Sequence, residues 1–375
     1  MKKLVYISPE FFFDTDELVL SHLSRTYSVT WIALVPMAGQ RRRERVEIEN
    51  MAARAGVTLL LKEMSWRRRS WRQLVFDYRL LQEVKSLGAD LLYVEELADF
   101  YFYLLQPCFL RNDHTVYALH DVVPHSTGKG MKVWLENTRF AFTRYLLMQF
   151  GRHFQLFSRT EYQKFRQLYP AKNAFFTRLM LRRFGDSTCT PGAVTDQCRL
   201  LFFGTIEYYK GLDLLIQVME ELLKEGHQRL SLTVAGKGAY WRECVQFVHH
   251  SDFYNLNIRF IPDEEIPDLF SSHHFLVQPY RDASQSGPQM IALQYALPVI
   301  ASDTEGLSDF VVDGSTGFLF GQGDPQALKK VLLSCLTMSQ NEYETMRNKL
   351  EHWTSVHCSE EETMERYLRF FNSLK

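Results

Sequence analysis

Residues 283–302, ASQSGPQMIALQYALPVIAS, run from a polar, glycine-containing loop into a helical stretch and then a buried strand. Gly287 followed by Pro288 reads as a helix start, where unpaired N–H groups and the positive end of the helix dipole suit a phosphate. Many such starts bind nothing, so this one needs company. It finds it in FFGTIEYYKGLDLLI (Phe202 to Ile216), a strand ending at Gly204, a short loop, and Lys210 and Gly211 opening a helix. Lys210 would set a cation beside an anionic ligand. A third loop, VAGKG (Val234 to Gly238), also follows a strand, and Gly236 and Gly238 would let backbone approach a ligand closely. The spacing, and the absence of Ser or Thr after its Lys, exclude a Walker loop. Three ligand-type loops at strand ends of one domain point to a nucleotide diphosphate.

The elements that must carry these loops follow from hydrophobic patterning. Short apolar runs at Leu4 to Ser8, Val29 to Leu34, Leu91 to Glu95 and Thr115 to Leu119 alternate with segments of helical period, which reads as β-α-β units. After the turn-like stretch Asp186 to Asp196 a second series begins. Its strands are expected at Arg199 to Phe203, Leu230 to Ala235, Ile258 to Ile261, Phe275 to Gln278 and Pro298 to Ala301. The economical α/β architecture is two doubly wound, Rossmann-like parallel sheets, with ligands at the carboxyl ends of strands and a cleft between lobes. The domains are drawn as 1–188, 189–356 and a terminal helix in 357–375. Met364, Tyr367, Leu368 and Phe371 give that helix an apolar face that should pack back on the first domain.

A chain of 375 residues with 46% hydrophobic and 14% aromatic side chains has enough apolar material for two cores, which excludes a disordered protein. The formal net charge of −1 conceals two halves of opposite sign. Residues 1–120 hold 16 Lys and Arg against 15 Asp and Glu, residues 121–185 hold 12 against 3, and the remainder 15 against 26. A basic lobe suits a phosphate-bearing lipid, a membrane surface or nucleic acid, or is simply a solvated surface. No nucleic-acid module accompanies the charge, which disfavours that partner. The helical pattern in WRRRSWRQLVFDYRLL (Trp66 to Leu81) puts Trp71, Leu74, Val75, Tyr78 and Leu81 on one face, with Arg68, Arg72 and Arg79 beside it. Either it rests on an anionic bilayer or it faces the core with a solvated basic side, the second being the ordinary arrangement. WLENTRFAFTRYLLMQFGRHF (Trp134 to Phe154) adds further arginines and aromatics.

The six cysteines form no C-x-x-C pair, the opening MKKLVYISPE is too short for a signal-peptide core, and no N-glycosylation sequon occurs. A cytoplasmic protein is expected, peripheral at most on the inner face of a membrane. Asp14-Thr15-Asp16 has the D-x-D form of a metal-binding transferase motif but precedes an apolar helix pattern, so it is expected to cap that helix. His249-His250 and His273-His274 lack metal-ligand spacing.

In order and spacing, the second half resembles the family-four retaining glycosyltransferases of the GT-B fold, above all bacterial enzymes of surface-polysaccharide synthesis. The resemblance is carried by FFGTIEYYKGLDLLI, VAGKG, FIPDEEIPDLF (Phe260 to Phe270), QPYRDASQSG (Gln278 to Gly287), PVIASDTEGL (Pro298 to Leu307) and VVDGSTGFL (Val311 to Leu319). YALHDVVPHS (Tyr117 to Ser126) is similar to the family's strand-end His-Asp and LFSRTEYQKF (Leu156 to Phe165) to its later N-domain segment, while the first 115 residues match in pattern alone. The resemblance implies Gly204, Thr205, Lys210, Gln285, Ser286 and Gly287 around the diphosphate of a UDP- or GDP-linked sugar. It also implies Gly236 and Gly238 nearby, the backbone of Ile261 near the base, and His120 near the donor sugar across the cleft. It implies transfer of a hexose-type sugar with retention to a glycan or lipid-diphosphate-linked acceptor. No metal and no cofactor is implied, Lys210 and the helix start at Gly287 stabilising the leaving diphosphate.

Four positions depart from the family. Thr205 stands where an Arg is usual, the paired glutamates fall on Ala283 and Ile291, Pro288 removes one N–H from the phosphate turn, and Glu305 replaces a glycine. Arg281 and Lys237 are the available replacement cations. Thr205 and Pro288 also leave open a second reading, a catalytically impaired nucleotide-binding scaffold subunit of a polysaccharide-assembly complex. A third keeps the fold but makes the enzyme an epimerase or phosphorylase.

Overall fold

The computed structural model describes residues 1–36, 41, 43–64, 70–97, 99–122, 131–180, 184–283 and 285–374, with the backbone alone for 131–137. Arg68, Val123 to Ser126, Ser284 and the side chain of Trp134, all within motifs read from the sequence, lie outside the described residues. The chain divides into two compact units, Met1–Met180 with Glu360–Lys375, and Leu181–Ser359. The first boundary falls before residue 188 because the stretch after 183 is held by the second unit. Tyr295 Oη donates to Gly185 O at 3.0 Å and Ser187 Oγ to Asp268 Oδ1 at 2.6 Å.

The first unit is built on seven parallel strands in the order β3-β2-β1-β4-β5-β6-β7. They are β1 (Lys3–Pro9), β2 (Ser28–Pro36), β3 (Thr58–Met64), β4 (Leu91–Val94), β5 (Thr115–Leu119), β6 (His153–Leu156) and β7 (Asn173–Phe176). Both faces are covered, which is why these strands read as continuous apolar runs rather than alternating ones. Leu4 and Tyr6 point to one core with Trp31, while Val5 and Ile7 point to another with Ile32 and Leu34. Helices α1 (Phe13–Leu23) and α2 (Arg45–Ala55) cover the first face. The second face is covered by α3 (Trp71–Ser86), α4 (Phe100–Leu105), α5 (Met131–Phe150) and α6 (Arg159–Leu168).

The second unit has six parallel strands in the order β10-β9-β8-β11-β12-β13. These are β8 (Cys198–Phe203), β9 (Leu230–Ala235), β10 (Tyr254–Asn257), β11 (Phe275–Gln278), β12 (Val299–Ser302) and β13 (Gly317–Phe320). The strand expected at Ile258 to Ile261 lies four residues earlier, because Tyr254 to Asn257 are the residues in register with Leu232 to Ala235 of β9. The unit's helices are α7 (Leu212–Lys224), α8 (Trp241–Cys244), α9 (Ile266–Ser271), α10 (Gly287–Gln294), α11 (Pro325–Thr337) and α12 (Gln340–His357). The last helix, α13 (Glu360–Ser373), belongs to the first unit. It buries Met364, Tyr367 and Phe371 and stacks Phe370 on Phe175 with centroids 4.1 Å apart. Each such buried side chain contributes about 1.5–3 kcal/mol, enough to hold a helix of this length in place.

Candidate functional site

In a doubly wound sheet the ligand crevice opens at the carboxyl ends of strands where the order reverses. In the second unit that point lies between β8 and β11, and the sequence-predicted loops converge there. Gly204 leaves β8 with φ +111°, and a Cβ on it would stand 3.1 Å from Lys210 Nζ and 3.4 Å from Pro288 Cγ. The first loop, the lysine and the start of α10 therefore meet around one small space. Gly211, φ +66°, makes the turn after Lys210, and a Cβ there would collide with the backbone oxygen of Pro279.

Lys210 is 6% exposed and has no acidic partner within ion-pair distance among the described residues. Its surroundings are aromatic faces, with Nζ 5.4 Å from the ring centroid of Tyr280 and 5.9 Å from that of Tyr209. Burial pulls the lysine's proton affinity down, opposed by Tyr209 and Glu207. Burial also pushes the Tyr280 phenol up to about 12, so that ring is neutral and offers the cation only its π face. A buried cation without a counter-charge is costly to keep, and an anionic ligand would remove that cost.

The start of α10 is prepared for hydrogen bonding to an anion. Ser286, 4% exposed, is its N-cap and accepts from Gln289 N at 3.4 Å and from Gln278 Nε2 at 2.5 Å. The same hydroxyl is also hydrogen-bonded to the Tyr280 phenol, which ties the helix start to the ring beside Lys210. Gly287 has open space on the side where a Cβ would be. Pro288 contributes no N–H, so this turn offers fewer donors than a helix start of other composition. Gln285 Nε2, Gln278 Oε1, Gln289 Oε1 and Thr304 Oγ1 are buried without a partner among the described residues. Gln278, Gln289 and Thr304 were not singled out from the sequence, where nothing marks a polar residue at the end of an apolar strand as part of a site.

Gly236 and Gly238 are required by backbone packing. A Cβ on Gly236 would collide with the Gly204 carbonyl, 2.7 Å from its carbon, and one on Gly238 would lie 2.6 Å from the carbonyl carbon of Ile206. The VAGKG loop lies directly against the first loop, with Gly204 N donating to Ala235 O at 2.9 Å and Ile206 N to Lys237 O at 3.0 Å. The Ile261 side chain is buried with Leu201 and Phe270, beside an exposed Phe260. Thr205 is exposed. Of the two replacement cations, Arg281 is already committed. Its guanidinium makes a two-pronged pair with Asp213 at 2.9 and 2.7 Å and stacks on Tyr208 at 4.3 Å. Lys237 is exposed, with Nζ 5.6 Å over the Phe260 ring.

His120 lies in the first unit, immediately after β5, with Phe12 and Phe157 stacked on its two faces at 4.4 Å each. Its Nε2–H donates to Glu95 Oε1 at 2.5 Å, leaving Nδ1 as the free ring position. Burial opposes protonation, but the hydrogen bond and charge of Glu95, with Glu96 and Asp121, outweigh it and the imidazole's pKa is raised. Asp16 does not cap α1, as its spacing suggests. It lies within the helix, 2% exposed, accepting from Tyr6 Oη at 2.7 Å. Burial and the charge of Glu95 raise its carboxyl well above the usual range. His120 and Asp16 were each marked in the sequence, but their gathering with Tyr6 and Glu95 from β1, α1 and the ends of β4 and β5 had no signature there. The paired histidines are held structurally. His250 Nδ1 meets Glu220 at 2.6 Å, and burial lowers His273 and His274 to about 4.

Comparison with known proteins follows the same division of the chain. Residues 197–338 match the family described as Glycosyl transferases group 1. Over 132 residues, 34% of this chain and 29% of the relative, the sequence is 32% identical to a glycogen synthase of Thermus thermophilus. Over 153 residues, 39% of this chain and 41% of the relative, it is 29% identical to a GDP-mannose:glycolipid 4-beta-D-mannosyltransferase of Xanthomonas campestris pv. campestris. The matches thus span less than half the length of these curated relatives. HepE of Anabaena, solved in complex with UDP and glucose, superimposes over 100% of both chains with a TM-score of 0.74 at 15% identity, a likeness of fold.

Proposed function

Because the chain carries a group 1 glycosyltransferase domain on a GT-B fold, we propose that it transfers a hexose-type sugar from a nucleotide-diphosphate sugar to a glycan or lipid-linked acceptor. Retention of anomeric configuration, independence of metal and a place in surface-polysaccharide synthesis are parts of the same proposal. The observation that carries it is Lys210, a buried ammonium without an acidic partner among the described residues, 3.1 Å from the Cβ position of Gly204 and beside the start of α10. A departing nucleotide diphosphate gains negative charge as the glycosidic bond breaks, and a fixed cation in a water-poor site stabilises that charge more than it does the intact donor. The Gly287 N–H is the further donor proposed for the same group, with Ser286 beside it holding the helix start in place. His120, its ring held by two phenylalanines and its Nε2 by Glu95, is the proposed contact to the donor sugar. HepE binds UDP and glucose, and the Xanthomonas relative is named for GDP-mannose, so UDP and GDP are the nucleotides proposed.

The experiment is incubation with UDP-, GDP- and ADP-sugars, following release of the diphosphate and the anomeric proton of the product by NMR. Turnover with one donor class, a retained anomer, and loss of turnover in a folded Lys210→Ala variant are the expected results. Unchanged transfer by that variant would overturn the assignment. The scaffold reading is favoured by one observation, the engagement of Arg281 with Asp213, which leaves the missing arginine at Thr205 without that substitute. Nucleotide binding without turnover, with turnover appearing in Thr205→Arg, would select it.

A further inference from the structure

Helix α3 turns polar side chains inward and apolar ones outward over its first two turns. Gln73 and Asp77 are 1% and 2% exposed. The Gln73 amide donates to Asp77 Oδ1 at 3.0 Å and to Asp99 Oδ2 at 2.5 Å. Asp99 in turn caps α4, accepting from Tyr101 N at 3.0 Å. This clasp fixes the rotation of α3. On its outer side Trp71, Leu74, Val75 and Tyr78 are 69%, 36%, 37% and 44% exposed. Leu81, read from the sequence as part of the same face, is instead buried in the core with Leu80 and Val84, so the core-facing arrangement holds for the second half of α3 and not for Trp71 to Tyr78. Helix α4 packs against both α3 and α5, and α5 adds the exposed, stacked rings of Phe142 and Tyr145.

Among the described residues of α3, the unpaired exposed charge beside this apolar stripe is of one sign. Arg72, Arg79 and Lys85 are exposed and have no acidic partner among the described residues. Of the two acids on α3, Asp77 is buried and Glu83 is paired with Lys62 at 2.6 Å. We propose that this face docks on the surface of an anionic lipid bilayer, α3 lying in the plane of the headgroups. Trp71 and Tyr78 would sit at the polar boundary, Leu74 and Val75 would enter the acyl region, and the three cations would meet lipid phosphates. A second copy fits less well, since a self-complementary contact would bring the same cations together. The inference deepens the reading of a lipid-linked acceptor and rests on it for its purpose, while docking itself is measured without sugar nucleotide.

The test is sedimentation of the full chain with vesicles of phosphatidylcholine alone and of phosphatidylcholine with phosphatidylglycerol. The protein is expected to pellet with the anionic vesicles only, and less as salt is raised. Arg72→Ser with Arg79→Ser should lower the partition about fivefold per charge. Leu74→Ser with Val75→Ser should abolish it, and melting temperature and nucleotide binding should stay as in the wild type for both variants. Should the apolar variant fail to fold, the charge variant, which touches only exposed arginines, still decides. The proposal is overturned if the wild type stays in solution with both vesicles, or if the charge variant binds as the wild type does. It is also overturned if the face instead forms a dimer that Leu74→Ser with Val75→Ser dissolves without any vesicle binding. Normal nucleotide binding in those cases would leave the transfer reading standing, and its loss alone would leave the docking standing.

Discussion

Replacing Lys210 with Met should make the ligand-free protein more stable while removing most of its affinity for a nucleotide diphosphate. The ammonium is buried, faces the rings of Tyr209 and Tyr280 and has no acidic partner among the described residues. Relieving a buried polar group left without a partner recovers about 1–3 kcal/mol. Losing cation–π contacts at 5.4 and 5.9 Å from a buried ammonium takes back about 0.5–2 kcal/mol. The net gain is about 1 kcal/mol, or a rise of roughly 2–4 °C in the melting midpoint of a unit of this size. Loss of a charge-assisted contact to the ligand costs about 1.5–3 kcal/mol, a weakening of roughly 10- to 150-fold. The pH dependence carries a sign of its own. Burial lowers the folded pKa below the ordinary 10.5, so the unfolded chain holds this proton more tightly. Wild-type stability therefore rises between the folded value and 10.5, and the advantage of the variant narrows there. Urea unfolding at neutral and alkaline pH, with calorimetric titration of UDP and GDP, measures all three effects. A variant that is less stable than wild type and binds nucleotide within twofold would refute the reasoning.

Three further perturbations read other parts of the account. Glu95→Gln keeps a hydrogen-bond partner for His120 but removes its anion, so the imidazole midpoint followed by NMR should fall. In the wild type the raised value adds stability that is full below about 6.5 and lost as pH rises through the folded midpoint. An unmoved midpoint would show that Glu95 does not hold the proton. Thr205→Arg should tighten UDP or GDP binding about tenfold or more by adding the cation that Arg281 does not supply. Equal affinity in calorimetry would contradict the site. Asp77 is pushed up to about 9 by burial and by Asp99. Wild-type stability is therefore highest below the ordinary carboxylate value and declines as pH rises toward about 9, and Asp77→Asn should flatten that decline. Parallel urea-stability profiles between pH 5 and 8 would count against it.

The residues legible in the sequence are those whose neighbours in the fold are also neighbours in the chain. Strands β5, β9 and β11 stand where continuous apolar runs place them, because a parallel strand covered on both faces needs no alternation. Strand β10 was misplaced because it is an edge strand whose side chains are mostly exposed or half-buried, while the apolar Ile258 and Ile261 beyond it mimic a buried one. Gly204, Lys210, Ser286 and Gly287 could be singled out because each follows a strand or opens a helix. The roles of Gly236 and Gly238 could not be, since they depend on the backbone of another loop. Nor could the His120 surroundings, where Asp16, Glu95, Phe12 and Phe157 come from distant segments. Helix α3 shows the limit of periodicity. Its apolar stripe is plain in the sequence, but it divides: Leu81 enters the core with Leu80 and Val84, while over the first two turns Gln73 and Asp77 face inward, joined to Asp99, 22 residues past Asp77, through the Gln73 amide.

The most direct measurement of the central claim is thermal unfolding of the wild type and of Lys210→Ala with UDP, GDP, ADP and their sugar conjugates. A ligand at 100 times its dissociation constant stabilises the folded state by about 2.7 kcal/mol. The wild type should shift with one nucleotide class, and the variant should show no shift of that size. No shift with any nucleotide, or the same shift in both proteins, would contradict the claim.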